Sequence, residues 1–130
     1  MSMNDPITDA LTKIRNAESV SKKECFLKPA SKFLGELLKV IKENKYIEEY
    51  VMEEDKGIIS YKVKLNGRIN TCKGIKPRYA VKKSDFEKYE KRYLPARDVG
   101  LLIVSTPQGI MTHTSAKEKN LGGRLIAFIY

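Results

Sequence analysis

An apolar run, Leu101–Val104, passes directly into two hydroxyl side chains, Ser105 and Thr106. A strand that ends on a hydroxyl can present a nucleophile, but serine needs a base held beside it. The sole histidine, His113, lies between Thr112 and Thr114 at a predicted helix start, so it reads as a capping or exposed residue. No Gly-x-Ser-x-Gly elbow surrounds Ser105. Gly122-Gly123 lacks the Lys-Ser/Thr that follows a phosphate loop. The carboxylates are scattered over Glu/Lys helix faces and one acidic stretch, Glu53-Glu54-Asp55. Cys25 and Cys72 are too few and too far apart for a zinc site or a disulfide framework. These residues argue against an enzyme, a metal centre, a cofactor or a small-molecule substrate. A hydrolase acting through Ser105 lacks its His/Asp partners.

Binding is the chemistry that the same residues fit. Thr106-Pro107-Gln108-Gly109 has proline second and glycine fourth, as in a type I turn. Such a turn would present the Ser105 and Thr106 hydroxyls, the Gln108 amide and open backbone along one flat edge. Those groups suit the wide, shallow minor groove of an RNA helix, with its 2′-hydroxyls. A plain hairpin turn whose hydroxyls bond local backbone accounts for the residues equally well. In Leu121-Gly122-Gly123-Arg124, one glycine can take the left-handed position that ends a helix, and the other admits a second backbone. Upstream stand three basic groups: Lys73, Lys76 and Arg78; Lys82 and Lys83; and Lys88, Lys91, Arg92 and Arg97. Lysine and arginine neutralise phosphates and release counterions. Tyr79, Tyr89 and Tyr93 are interleaved with them, either to stack on bases or to pack in the core.

The distribution of charge supports a polyanionic partner. Residues 1–66 hold 12 Lys/Arg and 11 Asp/Glu, a net of +1, whereas residues 67–130 hold 13 and 5, a net of +8. Generic solubility would not require the excess to sit in one half. No apolar run approaches the ~20 residues of a membrane span, and the N-terminus has no pattern of a signal peptide. A reducing cytoplasm is the expected setting, with no membrane partner.

The elements that must position these residues follow from periodicity and punctuation. Asp5-Pro6 predicts a helix start, with Ile7, Ala10, Leu11 and Ile14 on one face to about Ala17. A short strand is expected over Glu24–Lys28. Pro29 and Ser31 lead into a second helix faced by Phe33, Leu34, Leu37, Leu38 and Ile41. Tyr46–Glu53 and Ile58–Leu65 predict a hairpin around Asp55-Lys56-Gly57. This makes an αβαββ unit, and Asn66-Gly67 is placed as the boundary between domains 1–66 and 67–130. Beyond it are expected a strand region, Gly74–Val81, and a helix opened by a Ser84-x-x-Glu87 capping box. A basic loop (Lys91–Asp98), a strand (Gly100–Ser105), a helix (His113–Asn120) and a closing strand (Arg124–Tyr130) complete it. The fold class is α+β: two small domains, the second mostly β.

These residues resemble a known family. Asp5-Pro6-Ile7 with Ile14-Arg15-Asn16-Ala17, Pro29-Ala30-Ser31-Lys32, Ser105-Thr106-x-x-Gly109 with Met111, and Ala116 with Leu121-Gly122-Gly123 are similar to the eighth protein of the small ribosomal subunit. Arg92-Tyr93-Leu94-Pro95-Ala96-Arg97 is similar to the longer basic connection of archaeal members, so the archaeal or eukaryotic type is implied. The resemblance covers essentially the whole chain. It implies two α/β domains and direct binding to small-subunit ribosomal RNA in its central domain, early in assembly, beside neighbouring small-subunit proteins on the cytoplasmic ribosome. Carried over, the RNA-facing positions are Ser105, Thr106, Gly109, Gly122 and Gly123, with Arg15 and Lys32 near a second RNA surface. Pro107 and Arg124 depart from the family pattern. Proline removes a hydroxyl and an amide donor there, while Arg124 favours phosphate. Gln108 and the basic residues Lys76, Arg78, Lys82, Lys83, Arg92 and Arg97 complete the expected RNA-binding set. A free RNA-binding regulator of translation, outside the ribosome, is the alternative.

Overall fold

Ser31 shows how local chemistry sets an element boundary. In the computed structural model its hydroxyl accepts the Leu34 N–H at 3.1 Å, and helix α2 (Lys32–Glu43) starts there. The structure describes residues 6–28, 30–76, 78–96 and 98–130. The expected helix-start residues Asp5 and Pro29, and the basic residue Arg97, lie outside the described residues.

Two compact units make up the α+β fold, Met1–Asn70 and Thr71–Tyr130. In the first, helix α1 (Pro6–Ser19) buries Ile7, Ala10, Leu11, Ile14 and Ala17, two residues longer than the sequence predicts. Helix α2 buries Leu34, Leu37, Leu38, Val40 and Ile41. Strands β1 (Glu24–Leu27), β2 (Ile47–Asp55) and β3 (Ile58–Leu65) form an antiparallel sheet in the order β1-β3-β2. Its inner face supplies Leu27, Ile47, Tyr61, Val63 and Leu65. The hairpin loop is two residues, Lys56-Gly57, rather than three. Both have positive φ, 52° and 82°, the backbone of a type I′ turn that matches strand twist.

In the second unit, β4 (Cys72–Gly74), β5 (Ala80–Val81), β6 (Leu101–Thr106), β7 (Gly109–Thr112) and β8 (Gly123–Ile129) form a five-stranded antiparallel sheet. Strand β8 pairs with β6 on one side and with both β4 and β5 on the other. The strand expected over Gly74–Val81 is therefore two short strands. Between them the chain still follows β8 through Ile75 N–H to Ile126 and Leu125 N–H to Tyr79. The sequence between the two strands includes Pro77, which lies outside the described residues and whose residue type has no N–H for a ladder.

Helix α3 (Phe86–Tyr93) corrects the capping-box reading. Asp85 holds the cap position without a side-chain bond, because Lys82–Asp85 is a turn closed by Asp85 N–H on the Lys82 carbonyl. The helix starts at Phe86, which is fully buried. It also takes in Lys91–Tyr93, which the sequence assigns to the loop. Helix α4 (His113–Glu118) is capped by Thr112, whose hydroxyl accepts the Ser115 N–H at 3.2 Å. Phe86, Tyr89, Leu94, Leu102, Val104, Met111, Ala116 and Leu125 belong to one core here.

Candidate nucleic-acid interface

Register alone brings several of the expected residues together. Ser105 lies opposite Arg124 in the β6–β8 pair, and Ile110 of β7 lies on its other side. Arg124 and Gly123 in turn face Ala80 and Val81 of β5. Lys82 and Lys83 follow β5 directly and are exposed. The Arg124 guanidinium donates to the Arg78 carbonyl at 3.3 Å. One end of the sheet thus carries Arg78, Lys82, Lys83, Ser105 and Arg124 on adjacent strands. No carboxylate is among the residues so paired.

The glycines pack differently from the expectation. Neither Gly122 nor Gly123 has positive φ; Asn120, at φ 57°, takes the left-handed position after α4. Asparagine tolerates that region, and Leu121 N–H then closes on the Ala116 carbonyl. Both glycines instead serve close backbone approach. A methyl group on Gly122 would stand 2.7 Å from the Val81 carbonyl oxygen, and one on Gly123 would collide with that of Ser105.

Thr106 follows the plain-turn alternative. It is buried, and its hydroxyl donates to the Gly109 carbonyl at 2.9 Å while accepting the Gln108 N–H at 3.1 Å. Its polar atom therefore builds the turn instead of being presented. Pro107 and Gln108 form the exposed loop, and Gly109 closes it at φ 116°. Ser105 is half-buried, and among the described residues its hydroxyl has no hydrogen-bond partner.

The tyrosines pack rather than stand free. Tyr89 is buried, and Tyr79 and Tyr93 lie half-buried against the core. Tyr79 lies 5.5 Å from Tyr89, and Tyr93 stacks on Phe128 at 5.4 Å. Their outer service is to hold cations: Arg92 lies over Tyr79 and Tyr93 at 5.3 and 5.4 Å, and Lys88 over Tyr89 at 5.5 Å. Arg92 is thereby tied to Tyr79, whose carbonyl accepts from β8 beside Arg124. Lys76 is exposed on the β4–β5 connection. Arg15 is half-buried on α1 and Lys32 exposed at the start of α2, both in the other unit.

His113 is the residue that the sequence misreads. It is neither a cap nor exposed. Its Nδ1 accepts the Leu102 N–H at 3.0 Å, which leaves the proton on Nε2 for Glu90 Oε1 at 2.9 Å. Lys117 Nζ meets the other Glu90 oxygen at 2.8 Å. Burial pushes the imidazole pKa down, against the pull of the Glu90 charge. Burial raises the Glu90 carboxyl, but the Lys117 hydrogen bond, with the Lys117 charge and the His113 hydrogen bond, brings it below its ordinary value. This chain of groups joins α3, α4 and β6 and has no free acid–base partner. Its members stand 23 and 27 residues from Glu90, too far for any spacing to reveal them.

Among the described residues no group of His, Cys, Asp or Glu is arranged to hold a metal ion, and no helix is long and apolar enough to cross a membrane. The geometry is that of a basic, hydroxyl-bearing sheet end built on close-packed backbone. The pattern describing ribosomal protein S8 matches residues 5–130. The chain belongs to the ribosomal protein S8 family, RNA-binding constituents of the ribosome.

Proposed function

We propose that this protein is a structural, non-enzymatic constituent of the small ribosomal subunit, of the archaeal or eukaryotic type, on cytoplasmic ribosomes. It binds small-subunit rRNA directly, in the central domain, supports assembly there and abuts neighbouring small-subunit proteins. The observation that carries the reading is the convergence of Ser105, Arg124, Arg78, Lys82 and Lys83 at one sheet end. Ser105 supplies a hydroxyl for a 2′-OH or base edge, the Pro107–Gly109 loop and the Gly122–Gly123 backbone supply shape, and the cations hold phosphates.

Ser105→Ala is expected to weaken binding to the specific rRNA helix about 10-fold, roughly 1.4 kcal/mol, with little change on a generic RNA duplex. Filter binding of both RNAs checks it, and an equal loss on both would overturn site recognition. Thr106→Ala acts through the turn and should lower thermal stability by about 1 kcal/mol.

Lys82→Ala and Lys83→Ala should weaken both RNAs alike. Each should reduce the slope of log affinity against log salt by about one. An unchanged slope would remove these lysines from the phosphate contacts. A free regulator of translation could use the same surface. Co-sedimentation with small subunits through a high-salt wash separates that case from a resident protein.

A further inference from the structure

We infer that the open edge of β2, from Val51 to Asp55, docks an extended, lysine- or arginine-rich protein segment, which adds to the N-terminal sheet as a fourth strand. The sheet order β1-β3-β2 leaves β2 at the edge. Its two-residue loop makes Asp55 and Ile58 a hydrogen-bonded pair. Alternation from there turns the backbone groups of Val51 and Glu53 toward β3, and those of Tyr50, Met52 and Glu54 outward. Tyr50 bears this out, because its N–H is held by the Glu49 carboxylate at 3.1 Å instead of by the ladder. Beyond that point, at Met52 and Glu54, no backbone partner lies on the edge among the described residues.

The side chains say what would fit. Edge strands are usually shielded by lysine, proline or a bulge in the exposed part. Here the exposed part carries carboxylates, no lysine or proline, and apolar side chains on both faces. Met52 is 62% and Ile59 43% exposed on one face, and Val51 and Ile58 are exposed on the other. The strand reads IEEYVMEED, with Glu48, Glu49, Glu53, Glu54 and Asp55 and no basic residue. Of these, Glu49 is neutralised by Lys42 at 2.7 Å. A second copy would set carboxylate against carboxylate across the new pair, and phosphates would be repelled in the same way. A basic strand gains main-chain hydrogen bonds, apolar contact and opposite charge together. The inference does not rest on the RNA reading, which concerns the other unit.

The test uses the full-length protein, isotopically labelled, and a synthetic peptide of about eight alternating lysine and valine residues, an ordinary strand length. The Met52 and Glu54 amides should gain hydrogen-exchange protection on titration. A peptide of equal charge and length with proline in place of valine should bind at least about 10-fold more weakly, since proline has no N–H to donate. Glu53→Lys with Glu54→Lys, both exposed, should abolish the protection while leaving rRNA affinity unchanged. Equal binding of the two peptides would reduce the site to charge attraction and overturn the proposal. So would protection that maps away from β2, protection of these amides by raised protein concentration alone, or their perturbation by duplex RNA.

Discussion

Gly123→Ala should destabilise the C-terminal unit by about 3 kcal/mol, the upper range for forcing an extra carbon into a packed site. For a unit of this size that is a fall of roughly 15 °C in melting temperature. The added carbon would collide with the Ser105 carbonyl oxygen and stand 3.0 Å from a Val104 methyl group. Neither neighbour can step aside cheaply. Ser105 and Val104 lie in β6, which is held between β7 and β8. Gly123 itself is pinned from the other side by Val81 of β5. Relief would therefore separate β6 from β8 at the sheet end that carries Ser105 and Arg124, so specific RNA affinity should fall with stability. Differential scanning calorimetry of the full chain reads the first effect and filter binding the second. A variant that melts like the parent would show that the sheet end yields more easily than its geometry implies.

His113→Leu is the second large effect. It leaves the buried Leu102 N–H without its acceptor and Glu90 without one of its donors. A buried polar group so orphaned costs about 1–3 kcal/mol. The same substitution should change how stability depends on pH. Burial holds the folded-state pKa of His113 below its ordinary 6.5. The unfolded chain then binds the proton more readily than the folded one. Stability from the neutral imidazole is thus present above 6.5 and declines as pH falls below it. Protonation at Nδ1 would place a donor against the Leu102 N–H, which is the structural form of that loss. Glu90 titrates in a separate window. Its depressed pKa contributes stability above its ordinary 4.5, lost only as pH falls through the lower folded-state value. Urea unfolding from about pH 7 to pH 5 isolates the histidine. The parent should weaken across that range and His113→Leu should stay nearly flat; parallel curves would assign the dependence to another group.

Much of the fold could be read from local signals, because those signals act locally. The Ser31 cap, the apolar face of α2 and the alternation of β3 each depend on residues a few positions apart. The Lys56-Gly57 loop is of the same kind, and only its length is misjudged. What escaped the sequence depends on partners far along the chain. Thr106 is the exception: Gln108 and Gly109, two and three residues on, hold its hydroxyl, as the plain turn that the sequence equally allowed would have it. His113 looks exposed until Leu102 and Glu90 are brought to its two nitrogens. One glycine of the pair looks like a helix stop because nothing local shows that backbone presses on both, Val81 on Gly122 and Ser105 on Gly123. For the candidate site, residue types and charge marked the region, while strand register decided which hydroxyl stays open. Ser105 and Thr106 are adjacent, yet only one of them keeps its hydrogen-bonding capacity for a partner.

The position of β8 in the sheet has a consequence for how the protein is made. Strands β4, β5 and β6 all pair with it, and β8 is synthesised after all three. Cys72 must wait for Ile129 before its ladder partner exists. During translation the N-terminal unit can close on itself, but the C-terminal sheet has no central strand until β8 leaves the exit tunnel. Its nascent form is a set of open edges, slow to pair because its contacts are distant in sequence. A chain cut short before Gly123 would lose the keystone of the sheet along with the arginine beside it. Quality control over this protein therefore falls on β8, and the sheet end carrying Ser105 and Arg124 forms only once β8 has been made.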